Sequence, residues 1–361
     1  MIIIRKILYT INVFCALLLL LIYVAAFVPQ DMFSYISLVG YAYPFVLVVN
    51  VVFVVLWLVW KPRNTILSLV AIAIGFDYVS RFVNFSSNDQ TKKEITVLTY
   101  NVHDFVHNKD SENYLGEEVL GDSILNYIAL TNADILCLQD YDVNITYKKG
   151  FHKYLLDSLG YHHFYYYHSH RDNVSNCAIY SKYPMTNTGS VLEKDTQNYL
   201  YIYADIKTPY SLLRVYNLHL ASYMLGKDEQ ENYAQIIKGK VNEKQSKKIV
   251  SKLIDANRIR AKQIRSLLPE MEKQQRPVII CGDFNDHPFS NTYKKFSKIY
   301  TDSFVKRGSG IGSTYNGIFP AYRIDYVWYD KNRLECTSYS SPKMDFSDHY
   351  PILTTFVFKK E

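Results

Sequence analysis

Pro277-Val-Ile-Ile-Cys-Gly-Asp-Phe-Asn285 is the stretch that decides the architecture. Its β-branched apolar run between Pro277 and Gly282 reads as a short buried strand that ends in a turn. Asp283 and Asn285 lie two residues apart, so an extended chain presents both side chains on one face. A carboxylate there can orient or deprotonate a water, and a neighbouring amide can hold an anionic oxygen without adding negative charge.

The same pattern, an apolar run closing on a polar residue, recurs on either side. Strand-like runs fall at 95–102, 134–139, 177–181, 200–206, 212–220, 278–284, 324–329 and 352–358. Helical periodicity is found at 117–130, within 229–272 and near 292–298. Many strands with few helices between them disfavour an alternating βαβ layout and favour two packed sheets with helices on their outer faces. Asn101, Asp140, His219, Asp283 and His349 stand where runs give way to loops, and loops along one sheet edge are a usual place for a site. Ser347-Asp-His-Tyr-Pro351 supplies an imidazole suited to stabilising or protonating a phosphoryl group. Asp325 in Arg323-Ile-Asp-Tyr326 supplies an acid able to fix its tautomer.

The first quarter of the chain obeys another solvent. Residues 7–28 form an uninterrupted apolar stretch long enough to cross a bilayer and without a small-residue cleavage pattern. Further spans are predicted at 39–60 and 66–83, the third more polar because of Asp77 and Arg81, which are expected to pair in the interface. Arg5 and Lys6 precede the first span and Lys61 and Arg63 follow the second, so these flanks belong in the cytoplasm. Three crossings put everything after about residue 85 outside the cytoplasm; if the third segment does not cross, the domain is cytoplasmic. Residues 84–93 are polar and turn-rich and read as a linker, which makes 1–83 a membrane anchor and 94–361 the water-facing domain.

Charge and cysteine usage narrow the class. About half of the formal +6 belongs to the first 83 residues, and the one Lys-rich stretch, 238–252, is interleaved with acids, so no extended phosphate-neutralising stripe exists. Cys15, Cys137, Cys177, Cys281 and Cys336 show no CxxC spacing, which disfavours a zinc site and fits buried free thiols. His152, His162, His163, His168 and His170 lack regular ligand spacing and read as surface or substrate-rim residues; the Gly308–Gly312 loop reads as a turn at the site rim.

Together with Thr99-Tyr-Asn101, Leu138-Gln-Asp140 and Asn217-Leu-His219, these motifs resemble the endonuclease/exonuclease/phosphatase superfamily in content and chain order. The resemblance spans nearly all of 94–361 and includes Ala178-Ile-Tyr-Ser-Lys-Tyr-Pro184 and Arg260-Ala-Lys-Gln263. It implies an α/β fold, a four-layer αββα sandwich of two mixed sheets flanked by helices, here preceded by three transmembrane helices. It also implies a Mg²⁺-dependent phosphoesterase, with Mn²⁺ as the alternative ion. Asp140 would be the principal metal ligand, with Asn101 and Asp348 completing the site. Asp283 would align the attacking water, Asn285 would hold the phosphate together with Asn101, and His219 and His349 would flank it, with Asp325 orienting His349. Two departures stand out: the acid of the Leu-Gln-acid motif is usually Glu and is Asp140 here, and His103 stands where some nucleases carry Asp. The expected reaction is phosphodiester hydrolysis by activated water, with a lipid headgroup of the membrane as a substrate. The alternatives are an extracytoplasmic endo- or exonuclease and, from another class, a non-catalytic module that binds a phosphorylated ligand or a protein partner.

Overall fold

Strands β2 (Ile95–Asn101), β3 (Ile135–Gln139), β4 (His163–Tyr167), β5 (Cys177–Ser181), β13 (Leu334–Ser340) and β14 (Ile352–Phe358) form one six-stranded sheet in the order β13-β14-β2-β3-β5-β4. A second sheet is built from β6 (Met185–Leu192), β7 (Leu200–Lys207), β8 (Leu212–His219), β9 (Val278–Asp283), β10 (Thr301–Asp302) and β12 (Asp325–Tyr329), in the order β10-β12-β9-β8-β7-β6. Both sheets are mixed, since β2 runs parallel to β3 and β8 parallel to β9 while their other pairings are antiparallel. The computed structural model describes residues 2–89, 91–106, 116–143, 146–167, 176–192, 200–223, 243–316 and 322–360.

Side-chain alternation explains the layering. Ile95, Val97, Ile135, Cys137 and Ile179 of the first sheet meet Ile202, Val215, Ile279, Cys281 and Val327 of the second, all fully buried. The intervening residues Leu98, Tyr100, Leu136 and Tyr180 face the other way, onto Ile124 and Ile128 of the helix Glu117–Thr131 and Phe151 and Leu155 of the helix Thr146–Asp157. Tyr216, Leu218, Ile280 and Trp328 likewise face Ile264, Leu267 and Met271 of the long helix Glu243–Glu272 and Phe296 of the helix Asn291–Phe296. The fold is thus a four-layer αββα sandwich. Of the stretch 229–272 read as helical, the part before Glu243 lies outside the described residues. All five cysteines are free thiols.

The N-terminal region contains two helices long and apolar enough to cross a membrane, one at Ile2–Ala25 and one within 34–60. The third predicted span, 66–83, is a bent pair, Thr65–Ile74 and Phe76–Phe82, turned by 69° at Gly75 and counting as one crossing only when taken together. The first member has ten residues, about 15 Å of helix, half the thickness of a hydrocarbon core. A buried polar chain joins all three segments. Trp57 Nε1 donates to Asn12 Oδ1 (2.9 Å), Asn12 Nδ2 to Ser68 Oγ (2.7 Å), and Ser68 Oγ to Asn50 Oδ1 (3.0 Å). Such interhelical bonds hold helices together where lipid offers no competing partner.

This bundle is packed onto the sandwich. Asn291 Nδ2 donates to Ala26 O and Arg265 pairs with Asp31. From the long helix, Asn257 Nδ2 donates to Ser37 Oγ and Arg258 Nε to Ser34 Oγ. Arg81 does not pair with Asp77 among the described residues; it is buried, donates to Pro288 O (3.3 Å) and lies 4.3 Å over the Tyr78 ring. The segment read as a linker is also fastened: β1 (Val83–Phe85) pairs antiparallel with β11 (Ser309–Ile311), and Asn88 exchanges hydrogen bonds with the backbone of Tyr339. The Gly308–Gly312 loop is therefore a docking strand for residues 83–85, not a turn at the site rim.

Candidate active site

The polar residues at the strand ends are gathered by register. β9 carries Asp283 opposite His219 on β8 and opposite Asp325 on β12, so three functional groups stand in a row across neighbouring strands. Gly282 makes the exit from β9 possible. Its φ is +125°, and a Cβ there would stand 2.0 Å from Leu218 O, so only glycine fits. Asn285 (φ 51°) and Asp140 (φ 45°) are left-handed, a region that Asn and Asp tolerate better than other side chains. The first sheet contributes Asn101 from the end of β2, Asp140 from just past β3, and Asp348 and His349 from just before β14.

Asp283 is the hub. Its Oδ2 accepts Asn101 Nδ2 (3.1 Å) and Asn285 Nδ2 (3.2 Å), its Oδ1 accepts the Asn285 backbone N–H (2.8 Å), and two imidazoles aim at Oδ2, His219 Nε2 at 3.5 Å and His349 Nε2 at 3.6 Å. Behind the imidazoles stand two acids: Asp325 Oδ2 lies 2.9 Å from His349 Nδ1, and Asp140 Oδ1 lies 3.4 Å from His219 Nδ1. Asp325 is itself held where it enters β12, because Thr314 Oγ1 accepts its N–H and that of Ile324. His103, at φ 45°, brings Nδ1 to 3.4 Å from Asp348 Oδ1, so the residue at the departing position faces a predicted metal ligand.

Electrostatics separate the carboxylates. Burial, reinforced by the Asp325 charge and opposed by the two imidazoles, pushes the Asp283 carboxyl up to about 6. Asp140 shifts the other way: burial opposes ionisation, but His219 beside it holds the carboxyl well below the usual range. Burial would deprotonate both imidazoles, yet Asp140 and Asp283 push His219 up to about 9, and Asp325, Asp283 and Asp348 raise His349 well above its ordinary value. The site therefore sets Asp140, held toward its ionised form, against imidazoles held toward theirs, with Asp283 titrating closer to neutrality than an ordinary carboxyl.

A family model described as the endonuclease/exonuclease/phosphatase family matches residues 98–349, the span that carries every one of these groups. The chain belongs to the endonuclease/exonuclease/phosphatase family. Members of that family hydrolyse phosphoesters. A second model, a domain of unknown function, matches residues 5–82. Among curated proteins, the 3'-5'-exoribonuclease subunit Ccr4 of the CCR4-Not complex of Yarrowia lipolytica is 27% identical over 173 residues, 37% of this chain and 23% of that protein. The chain thus spans under a quarter of that relative's length. Among solved structures, the human Nocturnin catalytic domain with bound sulfate superposes with TM-score 0.52 at 19% identity, covering 74% of this chain and 95% of that one. An endonuclease/exonuclease/phosphatase protein from Bacteroides vulgatus superposes with TM-score 0.50 at 15% identity, covering 74% and 100%. Both are likenesses of fold.

The donor chemistry of an endonuclease/exonuclease/phosphatase site can be compared with what the side chains already do. Asp283, Asp325 and His349 offer ligand atoms within 4.8 Å of one another, but the bond between His349 and Asp325 and the three donors on Asp283 already occupy that trio. Asp140 and Asp348 keep 26% and 20% of their side-chain surface open, while Asn101 Oδ1 accepts the His103 N–H at 3.0 Å and has one lone pair left. Carboxylate and amide oxygens are the donor type that a hard divalent cation takes.

Three residues inside the quoted motifs carry roles that the sequence did not assign to them. Gln139 and Asn217 lock the sheets together behind the site: Gln139 Nε2 donates to Asn217 Oδ1 (2.6 Å), and Asn217 Nδ2 donates to Leu138 O and Ala178 O (2.9 Å each). Arg260 reaches from the long helix to Ala221 O (2.7 Å), next to Leu220 O, which accepts Asn285 Nδ2. Of the histidine cluster, His152 is half-buried and bound to Tyr180 Oη at 2.7 Å, and His168 and His170 lie outside the described residues.

Proposed function

We propose that this protein is a membrane-anchored, divalent-metal-dependent phosphodiesterase that hydrolyses its substrate by direct attack of water. The convergence of Asn101, Asn285, His219 and His349 on Asp283 Oδ2 carries the reading. Asp283 aligns the water and takes its proton, for which a carboxyl near 6 is well matched at neutral pH. Asn101 and Asn285, whose amides rest on Asp283 here, would turn as neutral donors to phosphate oxygens, and the charged His219 and His349 stabilise the negative charge that grows on them. Asp325 fixes His349 with Nε2 toward the reacting group. Asp140, Asn101 and Asp348 would hold Mg²⁺, or Mn²⁺ in its place, which supplies positive charge against the phosphate.

The topology supports a domain outside the cytoplasm. Residues 26–37, between the first two helices, and residues 81–85, from the end of the bent pair onward, both touch the sandwich. If the two long helices cross, the bent pair must recross to bring the chain back to the side of that first loop. The cation-flanked side, Arg5, Lys6, Lys61 and Arg63, is then opposite the domain. A cysteine placed at Arg63 should be labelled only from the cytoplasmic face and one at Thr91 only from the other; labelling of both from one face would refute this arrangement.

A site held against a membrane loop favours a lipid-headgroup diester. The likeness to an exoribonuclease subunit favours the second reading, a nuclease outside the cytoplasm. The test is Mg²⁺-dependent turnover by the detergent-solubilised chain on an aryl phosphodiester, an aryl phosphomonoester, DNA, RNA and a sphingophospholipid. Asp283→Asn should lose about 10²- to 10⁴-fold, the usual worth of a positioned acid or base. Silence of the folded protein on all five would favour a phospho-ligand-binding module.

A further inference from the structure

The turn that carries Asp283 and Asn285 does not end in solvent. The next residue, Asp286, is buried. Its Oδ2 accepts Gln30 Nε2 at 3.2 Å and faces Arg260 Nε at 3.8 Å, while its carbonyl accepts Tyr326 Oη at 2.8 Å. Gln30 is 1% exposed and uses its other end too, its Oε1 accepting Thr292 Oγ1 at 3.2 Å. His287 packs edge-on against Tyr41, ring centres 4.2 Å apart, and Gly40 lies so close that a Cβ there would stand 2.4 Å from His287 Cε1.

The second catalytic turn, which follows His219, meets the same loop. Tyr41 Oη is bonded to Tyr223 Oη, and the Arg260 guanidinium lies 4.6 Å over the Tyr223 ring. Arg260 thus stands between the two turns, donating to Ala221 O on one and facing Asp286 on the other. Gln30 and Tyr41 close the far side from the loop between the first two membrane helices.

We infer that this loop is part of the active-site scaffold, and that Gln30 is a positioning residue which holds the Asp283-Phe-Asn285 turn in place through Asp286. The inference rests on the phosphoesterase reading for its kinetic consequence only. A tether that merely kept the enzyme at the bilayer would need no buried, two-ended amide against the residue next to the catalytic turn. Water-soluble substrates would also be indifferent to it.

The experiment uses the full chain in detergent with Mg²⁺ and bis(4-nitrophenyl) phosphate, so delivery to a membrane plays no part. Gln30→Glu sets a carboxylate against Asp286; Gln30→Met keeps the size and removes both hydrogen bonds. The double variant Gln30→Glu with Asp286→Asn restores a donor facing an acceptor with the roles exchanged. Gln30→Glu should lower kcat about tenfold, or about 1.4 kcal/mol in the barrier, with KM little changed. Gln30→Met should show a smaller loss, and the double variant should recover most of the activity lost by Gln30→Glu. Amide hydrogen exchange at 284–287 should quicken in Gln30→Glu and Gln30→Met and slow again in the double variant, while β7 stays protected. Wild-type kcat and exchange in both single variants, or a loss that the double variant fails to recover, would overturn the inference. An inactive wild type whose exchange still responds to Gln30 would sink the phosphoesterase reading and leave the positioning link standing.

Discussion

At the level of single residues the site consists of acids made different by their neighbours. Asp325 and His349 form the most directly testable pair, since the 2.9 Å bond at Nδ1 both orients the ring and helps keep it charged. An imidazolium is present below its pKa and is lost as pH rises through it. Asp325→Asn removes a negative neighbour and lowers that pKa, so the alkaline fall in kcat should begin at lower pH than in the wild type. A pH–rate profile whose alkaline limb does not move would show that His349 takes its charge from Asp283 and Asp348 alone. The residues of this constellation were legible in the sequence because each is a polar group at the border of an apolar run, Asn101, Asp140, His219 and Asp283 behind one and Asp348 and His349 ahead of one. Asp286, His287 and Gln30 were not: they are ordinary polar residues whose meaning comes from partners in other parts of the chain, in the pair Gln30 and Asp286 at a separation of 256 positions.

Secondary-structure elements were read well where burial is two-sided and poorly where it is not. β2, β3, β5 and β9 are buried along their whole length because a sheet lies on one face and helices on the other, so each appears as a continuous apolar run. β1 and β11 have three residues each and partly exposed faces; no periodicity can develop over that length, and the segment read as a linker. The third predicted span has the composition of one, but it breaks at Gly75, and composition carries no information about a 69° bend. The glycine that matters most to the site is Gly282, where the β9 strand turns into the Asp283 loop at φ +125°. Gly282→Ala forces a Cβ into Leu218 O and an L residue into a strained conformation. It should cost on the order of 3 kcal/mol or more and displace Asp283 with it. Thermal unfolding and turnover should therefore fall together; a variant with wild-type unfolding would mean that β8 and β9 separate more easily than their parallel register implies.

For the molecule as a whole, the N-terminal helices and the sandwich share a buried seam, and that seam contains a titratable group. His287 is fully enclosed between Gly40, Tyr41, Phe289 and Tyr322, and burial pulls its pKa down to about 4, with Arg260 helping and Asp286 opposing. Its Nδ1 accepts the Phe289 N–H at 3.2 Å, so the folded ring is neutral, and a proton on Nδ1 would oppose that donor. The unfolded chain takes up this proton near 6.5 and the folded chain only near 4. Above about 6.5 the contribution to stability is complete; as pH falls toward 4 the unfolded state binds the extra proton and stability is lost, by about 2 kcal/mol at pH 5. His287→Gln cannot titrate. Between pH 7.5 and pH 5 the solubilised wild type should therefore lose more unfolding temperature than this variant. Parallel losses in the two proteins would place the acid sensitivity elsewhere. A larger loss in the wild type would locate it where the loop between the first two helices meets the Asp283 turn, so that acid would loosen the two together.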